Sequence, residues 1–301
     1  MPMPTSRASV PATSDWKSHR FIIGGADISV RIDPELPQAP SEIETWVRDT
    51  AETLVAFYGK FPVPAVVINV GRRAGNPVNS GVEYDGRRID IGLDPAAASA
   101  DLQADWRLTH EMFHLGFPQV ARRYHYLEEG LSDYLEPIAR ARLGKLTERK
   151  VWRDFMDGIP QGIPSAGSGG LDGTRAWGPT YWGGCLFWLL VDLDIRQRSG
   201  NAHRLDDAIR AMISAGGNGG TFWHLEKVIA VGDAATGTGS IQRMHERFGR
   251  AWSDPELDEL WQKLGVRIEH GALIFDDAAP LAAIRRSIAK PLAMHKPAPS
   301  D

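Results

Sequence analysis

Apolar positions in the first third of the chain recur with two different periods. Phe21-Ile22-Ile23 and Ile28 to Ile32 are short runs of β character, whereas Ile43, Trp46, Val47, Ala51, Leu54, Val55 and Tyr58 recur at helical spacing. Ser41 with Glu44 predicts a capping box at the start of that helix. Ala65-Val66-Val67-Ile68-Asn69-Val70 reads as a buried strand. Gly81 to Tyr84 and Arg87 to Leu93 flank Asp85-Gly86, a favoured two-residue turn, and so predict a hairpin.

From Ser99 onward the period is helical, predicting helices at 100–115, 125–142, 147–156, 179–198, 204–214, 221–230, 240–249, 255–263 and 278–288. Asp157 to Pro179 is rich in Gly and Pro and has no apolar period, which predicts a loop, either a lid or a mobile connection. The fold class is therefore α+β: a mixed sheet lobe with an edge strand, then a helical lobe. The expected boundaries are a disordered tail at 1–20, an α/β lobe at 21–118, a helical lobe at 119–290 and a flexible tail at 291–301.

Composition narrows the chemistry. The 301 residues carry 34 Lys and Arg against 38 Asp and Glu, a net charge of −4, and the basic residues are scattered, so no nucleic acid is expected as partner. The single cysteine, Cys185, excludes an internal disulfide and a cysteine-built metal site; in its apolar setting it reads as a buried structural thiol. The longest apolar stretch, Tyr181 to Val191, is far short of the roughly 20 residues of a membrane-spanning helix. Residues 1–20 show no secretory signal, so a cytoplasmic location is expected, or a periplasmic one if a leader has been lost. The oligomeric state is not legible.

The segment that carries chemistry is Leu108-Thr109-His110-Glu111-Met112-Phe113-His114, an HExxH pattern. On a helix the two histidines, at i and i+4, present their rings on one face and can share one zinc ion, with Glu111 beside it as a base for a water molecule. A third ligand is needed, and Glu129 in Leu127-Glu128-Glu129-Gly130 supplies it, with Glu128 as the alternative. Asp133 lies one turn beyond Glu129 and can accept a hydrogen bond from the far nitrogen of a ligand histidine. His203, His245 and His270 lack ligand spacing and read as surface residues.

HEMFH followed by the Glu129-Gly130 pair, with Glu129 to Asp133 as Glu-x-x-x-Asp, resembles the gluzincin metallopeptidases, the clan of thermolysin and the zinc aminopeptidases. Tyr181-Trp182-Gly183-Gly184, Leu205 to Arg210 and Leu264-Gly265-Val266 are similar, more narrowly, to the catalytic domain of the glycyl aminopeptidases. The resemblance spans about residues 60 to 290. It implies a zinc peptidase with one Zn²⁺ per chain, acting on peptide or protein substrates. It also implies that Tyr181 stabilises the oxyanion, with Tyr134 and His224 as competitors for that role. Ser80-Gly81-Val82-Glu83 is similar to the strand on which related aminopeptidases hold the peptide backbone, and this implies that Glu83 binds the free α-amine beside Gly81. The segment between His114 and Glu129, residues 115–128, is shorter than in the main aminopeptidase group, and the leading β domain of the family is expected to be reduced or missing. Two alternatives stay open: a thermolysin-like endopeptidase, and a zinc-containing peptide-binding module without turnover.

Overall fold

The computed structural model describes residues 16–164 and 169–291. It opens with strands β1 (Lys17–Ile23) and β2 (Ala26–Ile32), helix α1 (Pro40–Tyr58), and strands β3 (Ala65–Arg72), β4 (Val78–Tyr84) and β5 (Arg88–Leu93). The five strands form one mixed sheet in the order β1-β2-β3-β5-β4, parallel at its centre and antiparallel at both edges. Helices α2 (Ser99–Ala104), α3 (Arg107–His114), α4 (His125–Arg142), α5 (Glu148–Gly158), α6 (Gly184–Arg198), α7 (Leu205–Ser214), α8 (Leu225–Thr236), α9 (Ser240–Met244), α10 (Leu257–Leu264) and α11 (Ala282–Ile288) follow. One apolar core runs without interruption from the sheet into these helices.

Local chemistry explains the boundaries. Helix α1 buries Ile43, Trp46, Val47, Ala51, Leu54, Phe57 and Tyr58 on one stripe. It starts with Pro40 at its first turn and stops at Gly59, whose φ of 85° lets its N–H return to the Val55 carbonyl. The expected Ser41–Glu44 capping box does not form. Ser41 already lies inside the helix, where its carbonyl accepts from Thr45, and Glu44 pairs with His19 instead. The Asp85-Gly86 turn holds φ of 52° and 70°, the two left-handed residues that a tight hairpin requires.

Several expectations need correction. Residues 17–20 are not a tail but half of β1, because an edge strand needs only one apolar face and Arg20 and His19 find Asp27 and Glu44; residues 1–15 and 292–301 of the expected tails lie outside the described residues. The helix expected at 100–115 is two helices, broken where the Asp105 carboxylate accepts from the N–H groups of Arg107 and Leu108 and starts α3 afresh. The second part is not wholly helical: β6 (Val266–Glu269) and β7 (Ala272–Phe275) form a hairpin around His270-Gly271, both at positive φ. Strands of 4 residues are too short to leave a readable period.

Candidate metal centre and peptide cleft

Helix α3 is packed by Leu108, Met112 and Phe113, so its opposite face, carrying His110, Glu111 and His114, is turned toward α4 and the sheet edge. Helix α4 meets it with Glu129, Ser132 and Asp133. Nε2 of His110 lies 3.2 Å from Nε2 of His114 and 3.2 Å from Oε2 of Glu129, and the third side, His114 to Glu129, is 3.4 Å. Three donor atoms around a tetrahedral zinc with bonds of about 2.0–2.1 Å are spaced by about 3.3 Å. The donor set and its spacing therefore fit zinc. Among the described residues this is also the one trio of His, Cys, Asp or Glu side chains close enough to hold a metal ion.

The far sides of the rings are also occupied. Asp133 Oδ1 approaches Nδ1 of His110 to 3.0 Å, though off the line of a straight hydrogen bond, and Ser132 Oγ lies 3.3 Å from Nδ1 of His114. Ser132 was not foreseen from the sequence. Its signal was the i+3 spacing from Glu129, which puts it on the same face as Asp133. Glu128 points elsewhere, to the backbone N–H of Val120 and to His125, and so is not a ligand in this arrangement.

Electrostatics agree with the donor set. Burial disfavours a charge on His110 and His114, yet neighbouring Glu129, with Asp133 at His110, raises the pKa of both rings. Burial also pushes up Glu111 and Asp133, the histidines opposing it, whereas the histidines outweigh burial at Glu129 and hold it well below the usual range. Three buried carboxylates around two imidazoles thus demand positive charge at this point. Protonated rings supply it in the metal-free protein, and a divalent cation would supply it in their place.

Tyr181 is brought in by an unusually close contact of α4 with α6. A Cβ on Gly130 would stand 2.1 Å from the Gly184 carbonyl carbon, and one on Gly184 would stand 2.1 Å from the Tyr126 carbonyl oxygen. Only glycine at both positions lets the two backbones touch. The turn just before α6, Pro179–Gly183, is a π-type turn, and it carries Tyr181 over His110 with ring centroids 6.3 Å apart. Burial, then the charges of Glu129, Asp133 and Glu111, raise the Tyr181 pKa, so its hydroxyl stays protonated and able to donate beside Glu129. The competitors are elsewhere: Tyr134 donates to Asp192 at 2.8 Å, and His224 is exposed at the start of α8.

Edge strand β4 closes the other side. A Cβ on Gly81 would lie 2.7 Å from Cγ and 2.8 Å from Oε1 of Glu111, so this strand runs directly over the Glu111 carboxylate. Glu83, two residues on and on the same face, sits half-buried within the fields of His114 and Glu111 and accepts from the Gly86 N–H. Burial, opposed by His114 and aided by Glu111 and Asp85, raises its pKa to about 7. Cys185 is fully buried, and His203 and His270 are exposed. His245 is not a surface residue: it is buried with Nε2 3.0 Å from Asp172, a partner delivered by the Asp157–Pro179 loop. The expected loop is partly regular and partly packed: α5 runs on to Gly158, Ile159–Gly162 is a short helical turn and Leu171 is fully buried, whereas Ile163, Gly173 and Arg175 are exposed.

No protein-family model matches the sequence, and no curated protein matches it significantly. Solved structures do match. An aminopeptidase N family protein from Idiomarina loihiensis aligns with a TM-score of 0.59 at 16% identity, over 85% of this chain and 50% of that one. The chain has the M1 zinc aminopeptidase fold. An M1 zinc metallopeptidase from Deinococcus radiodurans gives 0.51 at 16% identity over 79% of this chain and 53% of that one, and a variant of it was solved bound to a Tyr-Ser-Ala substrate. Legionella pneumophila aminopeptidase A, in complex with aspartic acid, gives 0.51 at 12% identity over 76% and 27%. The chain thus spans about half the length of the first two M1 proteins. No helix among the described residues is long and apolar enough to cross a membrane.

Proposed function

We propose that this protein is a zinc-dependent aminopeptidase, with His110, His114 and Glu129 as ligands to one zinc ion. The chemistry that zinc would supply there is Lewis-acid polarisation of a carbonyl and a water pKa lowered to about 7. Glu111 is the base: its buried carboxylate takes the proton of the attacking water and passes it to the leaving amine, a double duty that suits a carboxyl whose pKa is raised by burial. The Tyr181 hydroxyl donates to the oxygen that gains negative charge. Asp133 and Ser132 hold the two imidazoles in place. The free edge of β4 pairs with an extended peptide backbone, and Glu83 binds its α-ammonium.

The observation that favours an aminopeptidase over an endopeptidase is Glu83. A half-buried carboxylate lies two residues beyond the Gly81–Glu111 contact, and this supports its binding the amino end of a short substrate. The test is Glu83→Gln assayed on amino-acid arylamides and on N-acetylated peptides. Losing the amine's charge partner should lower kcat/KM on free-amine substrates about 100-fold, mostly through KM, and leave blocked peptides unaffected. Equal effects on both substrates would refute amine recognition and favour an endopeptidase. Glu111→Gln separates a hydrolase from a silent zinc module: it should keep zinc and lose turnover.

A further inference from the structure

Glu129 has two carboxylate oxygens, and only one of them faces the histidines of α3. Oε2 points at Nε2 of His110 and His114, while Oε1 lies 3.1 Å from Nε2 of His125, the first residue of α4. Nδ1 of the same ring lies 2.7 Å from Oε2 of Glu128, and Oε1 of Glu128 accepts from the Val120 N–H at 2.9 Å. Nδ1 makes a hydrogen bond with Glu128, whereas Nε2 meets Glu129 Oε1 as an ion-pair contact, off the line of a straight hydrogen bond. A continuous set of polar contacts runs from the backbone of the segment leaving α3, through Glu128 and His125, to Oε1 of Glu129.

We propose that His125 is a positioning residue for the metal centre: it occupies Glu129 Oε1 and leaves Oε2 as the one oxygen offered to the metal. The proposal rests on the zinc reading above. A carboxylate without such a partner rotates about its last bond and offers either oxygen or both; a ring held against one oxygen restricts that freedom before the metal arrives. The tie to Val120 serves the same end, since residues 115–128 connect the two ligand-bearing helices and the tie anchors that connection to α4 at the height of the third ligand. Glu129 is mostly buried, with 12% of its side chain exposed, so water does not readily replace His125 beside Oε1.

The test is zinc affinity, measured by competition with a chromogenic chelator, for the parent, His125→Ala and His125→Gln, with thermal melts of the metal-free proteins alongside. His125→Ala should bind zinc about 10- to 100-fold more weakly. His125→Gln, whose amide can still donate to Oε1, should recover most of the loss, to within about fivefold of the parent. The metal-free melts should differ little. Equal affinity in parent and His125→Ala would overturn the proposal while leaving the zinc site intact, and so would His125→Gln as weak as His125→Ala. A parent that takes up no zinc would overturn both this proposal and the zinc reading.

Discussion

Gly81→Ala adds one carbon at the closest contact between the sheet edge and the proposed base. The new Cβ would stand 2.7 Å from Cγ and 2.8 Å from Oε1 of Glu111, and 3.1 Å from Cγ of Arg107. Comfortable carbon contacts are about 3.5–4.0 Å, so the neighbours must yield by about 1 Å. Arg107 can swing aside, being a long side chain. The backbone of β4 cannot, because Gly81 is paired with Ile91 in the ladder, and α3 is held by Leu108, Met112 and Phe113 in the core. Gly81 is not at positive φ, so alanine brings no backbone strain of its own. The Glu111 carboxylate therefore takes up the displacement. Misplacing a reacting group by about 1 Å costs about 100-fold in rate, or about 2.7 kcal/mol of barrier. The assay is kcat and KM on an amino-acid arylamide, with zinc content measured on the same sample. The expected result is kcat down about 100-fold, zinc retained, and stability changed by about 1 kcal/mol. Activity within about threefold of the parent, or loss of zinc in place of loss of kcat, would refute the placement of Glu111 under β4.

Other consequences follow from the same contacts. Gly130→Ala forces α4 and α6 apart, since its Cβ would lie 2.1 Å from the Gly184 carbonyl carbon; urea denaturation should show a loss of about 3 kcal/mol, and a loss below about 1 kcal/mol would contradict the contact. In metal-free protein, Glu83 is protonated up to about pH 7 when folded but ionises at its ordinary, lower pKa when unfolded. Its contribution to stability is therefore nil at low pH and falls as pH rises toward 7. Glu83→Gln should thus stabilise the metal-free protein by about 3 kcal/mol above pH 7 and by almost nothing near pH 4, read from denaturation at both pH values. Chelating zinc, at an initial concentration about 1,000 times its Kd, should remove about 4 kcal/mol and lower Tm by about 10 °C; an unchanged Tm after complete zinc removal would count against a built site.

The arrangement of the candidate site was legible wherever it is local. His110, Glu111 and His114 lie within a single turn and a half of one helix, and Glu129 and Asp133 within another, so helical periodicity alone placed each set on one face. The Asp85-Gly86 turn and the stripe of α1 were legible for the same reason: short-range backbone geometry determines them. Tertiary structure decided which faces meet. That Glu128 turns to His125 and Val120 while Glu129 turns to the histidines depends on how α4 enters from the 115–128 connection, which no periodicity encodes. The approach of Tyr181 depends on two glycines far apart in sequence, Gly130 and Gly184, each of which is meaningful only against the other's backbone. His245 looked like a surface residue because its partner, Asp172, comes from a loop with no pattern of its own. A side chain's neighbours along one helix follow from the 3.6-residue turn, but its neighbours across the core follow from the packing of every element at once.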